Sequence, residues 1–248
     1  MADPMHQFQI APLIPFELGG VDLSFTNSSL WMLIGAVLSI VGLTIASERK
    51  SMIPGRLQVG AESLYNFIEG LISDNIGAGA KQYFPLVFTL FVMVLVGNML
   101  GMIPYSFTYT SHLAVTAAMA ILVFVTVLII GIARHGTHFF SLFVPSGVPI
   151  WLLWLVVLIE IISFISRPIT LSVRLFANMV AGHVLLKVIA GFAIMFATMG
   201  GFAWLGTLLP VAFNIVIIGF EFFIGFIQAY VFAVLTCIYL KDTMEIEH

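Results

Sequence analysis

Six side chains able to carry charge or exchange protons and hydrogen bonds lie inside otherwise apolar sequence: Glu160, Arg167, Arg174, Asn178, His183 and Glu221. Asn214 and Gln228 add two amides to the same region. An arginine at the centre of a bilayer costs about 2.5–3.5 kcal/mol on insertion scales, so Arg174 among such neighbours marks a functional site. Pinning helices together needs one or two polar groups, and this region supplies about eight. A carboxyl group and an imidazole that both gain and lose protons inside a membrane are the parts of a proton relay. An arginine cannot deprotonate, so Arg174 would separate two proton-accessible regions and not bridge them.

Spacing sorts these residues. On an ideal helix, positions seven apart are offset by about 700°, roughly 20° short of two full turns, so Glu160, Arg167 and Arg174 share a face. Asn178 joins them within about 40°, whereas His183, nine residues beyond Arg174, falls on the opposite side. One helix is thus expected to present a carboxylate-to-arginine row to one neighbour and a histidine to another. Asn214, Glu221 and Gln228 form a similar stripe on the last helix, and antiparallel pairing would bring Glu221 or Gln228 close to the region of Arg174 and His183. Cross-helix amide bonding is the alternative reading of Asn214 and Gln228. It accounts less well for Glu221, because burial of an isolated carboxyl group disfavours its charged form. Glu160 is expected toward the inner side, His183 toward the outer side and Glu221 deep in the last span.

The elements that must carry these groups follow from composition. With 61% hydrophobic and 8% charged residues and a mean hydropathy of +1.14, the chain is far from a soluble domain, whose charged fraction is typically about 25%. The apolar runs are longer than the roughly ten residues of a membrane strand and lack period-two alternation, which selects helices over a barrel. The expected fold is an all-α polytopic membrane protein forming a single membrane domain over 1–248, with about five crossings plus one interfacial amphipathic helix. Its last two apolar stretches are very long. Cys237 has no partner cysteine in the chain, so disulfides and Cys-based metal sites are excluded and a small core residue is expected.

Residues 1–27 carry Pro4, Pro12, Pro15, Gly19 and Gly20 and read as an extended segment without a regular helix. They lack a basic leader and a cleavage site, so no removable signal peptide is expected. Spans are expected at 28–47, 84–103 and 113–133. Between the first two, residues 55–75 place Leu57, Leu64, Phe67, Ile68, Leu71 and Ile72 opposite Glu62, Ser63, Asn66 and Glu69. That is the pattern of an amphipathic helix in the interface plane, with an acidic polar face that suits a partner subunit as well as lipid. His135 and His138 follow the third span without further metal ligands nearby and read as part of a solvated loop, so no metal is expected. Two long apolar stretches, 148–190 and 191–240, are broken by Gly200, Gly201 and Pro210. A single helix over 148–190 would be about 64 Å long, against a hydrocarbon core of about 30 Å. It must either slant by about 60° or contain a re-entrant break. Pro168 does not decide between these, since a proline can kink a membrane helix without ending it.

With five crossings, Arg49, Lys50, Arg56, Lys81, Arg134 and Lys241 fall on one side, Arg167, Arg174 and Lys187 lie within the membrane, and none of the nine basic residues falls in a loop on the other side. The positive-inside rule then puts the amino terminus outside and the carboxyl terminus in the cytoplasm or mitochondrial matrix.

The run Arg167-Pro168-Ile169-Thr170-Leu171-Ser172-Val173-Arg174-Leu175-Phe176-Ala177-Asn178-Met179-Val180-Ala181-Gly182-His183 resembles the signature of subunit a of F-type ATP synthases, and the ending from Gln228 to Leu240 resembles that family's final helix. The resemblance covers the chain from about Met5 onward. It implies a non-catalytic stator subunit of a rotary motor in a bacterial or mitochondrial inner membrane, with no cofactor and no nucleic acid. Its implied partners are a rotating ring of c subunits, b-type subunits of the peripheral stalk and membrane lipid. By the same resemblance Arg174 is the indispensable arginine, His183 and Glu221 line the outer half-channel, and Glu160 serves the inner one. Asn178 and Gln228 are polar neighbours of the arginine, and the two long helices are steeply slanted. One departure concerns the loop after the second span, where some members carry an aspartate. This chain has residues 105–111 there, from Tyr105 to Ser111, which puts a channel-lining role for the loop in doubt. Two other classes were weighed: a secondary transporter binding an anion at Arg174 would show an internal repeat, and a pore complete in one chain would show a ring of equivalent groups. Neither signature is present in the sequence.

Overall fold

The computed structural model describes residues 9–18, 21–22, 24–48, 55–103, 106–144 and 149–244. Arg49, Lys50, Gly19, Gly20 and Tyr105, used above, lie outside these residues, as does the side chain of His138. The structure is all-α in its membrane part. Helices α1 (Asn27–Glu48), α3 (Phe84–Gly101), α4 (Leu113–His135), α5 (Ile150–Thr198) and α6 (Leu208–Met244) are long and apolar enough to cross a membrane, and α2 (Arg56–Asn75) is the amphipathic one. Ahead of them, four short strands pair as two antiparallel couples: β1 (Pro12–Ile14) with β4 (Phe25–Thr26), and β2 (Glu17–Leu18) with β3 (Val21–Asp22). Asn27 ties this segment to the start of α1, its side chain accepting from the Ala11 amide at 3.2 Å and donating to the Gln9 carbonyl at 3.1 Å.

Helix α5 is unbroken over 49 residues, about 74 Å at 1.5 Å per residue, so the re-entrant alternative is not what the chain adopts. Pro168 sits inside it. Around the proline, the Ser166 hydroxyl donates to the Ser163 carbonyl at 2.8 Å and the Thr170 hydroxyl to the Ser166 carbonyl at 3.0 Å. Both bonds fall beside the break: the carbonyl that Pro168 leaves without an N–H is that of Phe164, four residues earlier. The helix also runs eight residues past the expected end at 190. Gly191 does not stop it, whereas Gly200, at φ 71, takes the left-handed conformation that glycine adopts without steric penalty and turns the chain. Pro210 lies in the first turn of α6, where its missing N–H has no intrahelical partner to lose.

The chain forms two compact units, each drawing on several helices. One comprises Met1–Ile45, Val92–His112 and Leu175–Ala229; the other comprises Ala46–Phe91, Leu113–Arg174 and Tyr230–His248. In the second, Ile68, Leu71 and Ile72 of α2 are buried, and Phe67 meets the rings of Phe91 and Tyr230, each at 5.8 Å. The amino-terminal half of the same apolar face stays open, with Leu57 exposed. Around His135, expected in a solvated loop, Arg134 and Gly136 are exposed, but the chain from Gly136 onward is helical and turns inward. A 3-10 helix over Gly136–Phe143 folds Phe139 against Phe164, joined by Phe124, Leu128, Leu142 and Phe143. Phe139 and Phe143 supply apolar surface that water would not hold.

In the first unit, the turn after α3 folds back on that helix. Tyr109 is buried and its hydroxyl donates to the Met93 carbonyl at 2.8 Å, with burial pushing the phenol up to about 12, so it remains a donor. Gly97 makes this possible, since a Cβ there would lie 2.5 Å from the Tyr109 ring. Replacing Gly97 by alanine should therefore lower stability by about 1–3 kcal/mol through overpacking. Gly42→Ala, where a Cβ meets nothing within 4 Å, should be neutral. Thermal melting of the detergent-solubilised protein checks both, and an unchanged midpoint for Gly97→Ala would show that Tyr109 is not held in this position.

Candidate functional site: polar pairs between the two long helices

Helix α5 exchanges polar contacts in antiparallel order with α6 and with Thr207 of the 3-10 turn that precedes it. In the first unit, the Thr207 hydroxyl approaches the Ala193 carbonyl at 3.5 Å, His183 Nδ1 lies 3.6 Å from Glu221 Oε1, and Asn178 Nδ2 donates to Gln228 Oε1 at 2.9 Å. In the second unit, Arg167 pairs with Asp242 at 2.7 Å. Each contact joins groups that hydrocarbon would leave unsatisfied.

His183 and Glu221 are both buried. At 3.6 Å they are within ion-pairing range but beyond hydrogen-bonding range. Two features bring them together. Gly182 clears the approach, because a Cβ there would sit 2.6 Å from Glu221 Oε1. The other ring nitrogen of His183 is 3.0 Å from the Thr108 hydroxyl. The loop after the second span, doubted above for want of an aspartate, thus reaches the histidine through a threonine. Further along α6, the Gly225 carbonyl accepts from buried Asn98 on α3 at 3.0 Å. Glu221 Oε1, Asn214 Oδ1 and Gln228 Nε2 are buried side-chain atoms without a hydrogen-bond partner among the described residues.

The two arginines are treated differently. Arg167 is half-buried and matched, with Asp242 on its guanidinium and the rings of Tyr239 and Phe164 at 5.2 and 5.9 Å. That arrangement braces helices, which is the pinning role weighed for the whole region. Arg174 is exposed on α5, and none of the ion pairs among the described residues includes it. Glu160 is half-buried on α5. The expected division of neighbours needs correction. Asn178 and His183 were placed toward different elements, yet both reach α6, because the long side chains of Gln228 and Glu221 span the angle between them. Sequence reasoning missed Thr108 and Asp242. Neither carries a signal in one dimension: Thr108 is one hydroxyl in a polar turn, and Asp242 follows Lys241 at a helix end that reads as solvated.

Five membrane-length apolar helices and an acid–imidazole pair buried between two of them define a polytopic membrane protein built around polar groups inside its helices. The family described as ATP synthase A chain matches residues 29–241. Over 246 residues the chain is 50% identical to an ATP synthase subunit a of Parvibaculum lavamentivorans, covering 99% of this chain and 95% of that protein. It is 52% identical over 245 residues to an ATP synthase subunit a of Rhodospirillum rubrum, covering 99% of each, and 53% identical over 242 residues to that of Rhizobium rhizogenes, covering 98% and 97%. The chain belongs to the ATP synthase subunit a family, and it is a membrane subunit of that complex and not an enzyme by itself.

The close approach at Gly182 generates a test. Gly182→Ala should push the Glu221 carboxyl away from His183 and reduce ATP-driven proton pumping several-fold, whereas Gly219→Ala, with nothing within 4 Å of its Cβ, should leave pumping unchanged. Equal pumping by the two variants in inverted membrane vesicles would show that the acid–imidazole spacing is without consequence.

Proposed function

We propose that this chain is the proton-translocating stator of its ATP synthase, with two offset half-channels kept apart by Arg174. The observation that carries the reading is that Arg174 is exposed and belongs to no ion pair among the described residues, while lying within an apolar helix. A permanent cation so placed calls for an anion from outside the chain. The carboxylate of a passing c subunit is the partner proposed. Thr170, Val173, Ala177, Ala181 and Leu185, all exposed and spaced three or four residues apart on the Arg174 side of α5, offer that ring a helix face with small residues at its centre.

A ring carboxyl moving through lipid keeps its proton, because desolvation disfavours its charge. Within about 4 Å of Arg174, at an effective dielectric near 20, the ionised form gains about 4 kcal/mol of attraction. The proton is released toward Glu160 and the inner side during synthesis. The next carboxylate is reprotonated from the outer side through His183 and Glu221. Asn178, Gln228 and Asn214 supply the polar lining between the two long helices. Because the half-channels are offset around the ring, net transfer requires rotation, and a potential of 100 mV contributes about 2.3 kcal/mol per charge. The same reading slants α5 and α6 steeply, lays α2 along the interface, and puts Arg56, Lys81, Arg134 and Lys241 on the cytoplasmic side with the amino terminus outside. It also gives the peripheral stalk's b-type subunits a surface on this chain, and takes the five spans as one membrane domain.

Arg174→Ala should let protons leak passively and abolish coupled synthesis. Arg174→Lys should fail as well, since an ammonium can surrender its proton and is a more hydrated point charge. Vesicles carrying Arg174→Ala that still made ATP at near-normal rates would end the assignment. His183→Ala and Glu221→Ala should slow proton entry and leave the membrane tight, and unchanged flux in both would remove that pair from the path. Cysteines placed along the Arg174 face should cross-link to a small two-helix protein carrying one buried acid.

A further inference from the structure

The mechanism uses His183 and Glu221 without saying which nitrogen of the ring handles the proton, and the surroundings of the ring decide this. We infer that Thr108 is a positioning residue that fixes His183 with its proton on Nε2 and its Nδ1 lone pair facing the Glu221 carboxyl. The inference rests on the reading of His183 and Glu221 as a proton path.

A threonine hydroxyl has one proton to donate and lone pairs with which to accept. The Thr108 hydroxyl donates to the Gly101 carbonyl at 3.2 Å. Its second neighbour, His183 Nε2 at 3.0 Å, must then be the donor, so Nε2 carries the hydrogen. In a neutral imidazole Nδ1 is left as the acceptor, and Nδ1 is the atom 3.6 Å from Glu221 Oε1. That oxygen is buried and has no hydrogen-bond partner among the described residues. A rotation of the carboxyl group that closes the gap by under about an ångström brings the two atoms to hydrogen-bonding distance. One proton then moves from Oε1 to Nδ1, breaking an O–H bond, forming an N–H bond and leaving an imidazolium beside a carboxylate; the reverse step restores two neutral groups. The opposite tautomer would put an N–H on Nδ1 and close the ring to a proton from Glu221.

Thr108 is held in place by features that have no other evident use. Its backbone carbonyl accepts from the Ser111 amide at 3.1 Å, and its side chain packs against Gly101, where a Cβ would lie 2.5 Å from both Cγ2 and Oγ1. The absence of a side chain at 101 is what lets the hydroxyl reach the carbonyl and the ring together. Gly101→Ala is therefore a way to displace Thr108 without altering it.

The test uses the assembled ATP synthase in membranes. Thr108→Val keeps the shape and removes the hydroxyl, and should reduce proton flux on the order of tenfold, the scale of one lost hydrogen bond at a buried site. Thr108→Ser should restore flux to within about twofold of the unaltered protein, because it keeps the donor and acceptor. Gly101→Ala should resemble Thr108→Val. In protein with ¹⁵N-labelled histidine, the His183 signals, assigned by difference from His183→Ala, should show Nε2 protonated in the unaltered and Thr108→Ser proteins, and a mixture of tautomers in Thr108→Val. Failure of Thr108→Ser to rescue, normal flux in Thr108→Val, or a resting His183 protonated on Nδ1 would overturn the inference. The last measurement needs no variant of Thr108 to assemble. Normal flux in His183→Ala would instead remove the underlying proton path, so the two failures are told apart.

Discussion

Hydrocarbon cannot solvate a guanidinium, and a guanidinium cannot become neutral to escape it. The two arginines of α5 meet this constraint in opposite ways. Arg167 is answered within the chain by Asp242 and two aromatic rings. Arg174, two turns further along the same helix, is left exposed and belongs to no ion pair among the described residues. On the function proposed here, the second is kept for an anion that the chain does not itself contain. Among the remaining polar groups of the two long helices, Asn178 bonds Gln228 and His183 faces Glu221, while Asn214 Oδ1, Glu221 Oε1 and Gln228 Nε2 have no hydrogen-bond partner among the described residues.

Several close contacts depend on positions that carry no side chain. Gly182 admits the Glu221 carboxyl, Gly101 admits Thr108, Gly97 admits the Tyr109 ring, and the Gly225 carbonyl is open to Asn98. Between membrane helices there is little hydrophobic drive for association, so close approach and the hydrogen bonds it permits carry more of the organisation than they would in water. Gly97, Gly101 and Gly182 each lie where a polar side chain comes near a neighbouring backbone.

The membrane helices were legible because their signal is length and apolarity, which one dimension records. The end of α5 was placed eight residues short because Gly191 and Gly200 are the same letter, and only backbone geometry tells a tolerated glycine from one at φ 71. The polar residues of α5 and α6 stood out against their surroundings. Their pairing did not, since Asn178 and His183 look divergent on a helical wheel until the reach of Gln228 and Glu221 is known. Thr108 stayed hidden for a different reason. An acid or an imidazole in a turn draws notice as chemistry, whereas a hydroxyl in a run of hydroxyls gains its meaning only from the atom it touches.

The antiparallel pairing of α5 and α6 bears on how the chain is made. Arg167 finds Asp242 75 residues later, and Asn178 finds Gln228 50 residues later. A ribosome working from the amino terminus therefore delivers α5 with its cationic and amide groups unanswered until α6 follows. Threading α5 into lipid alone would strand those groups, so the two helices are expected to enter the bilayer as a pair, with the Arg167–Asp242 contact closing last.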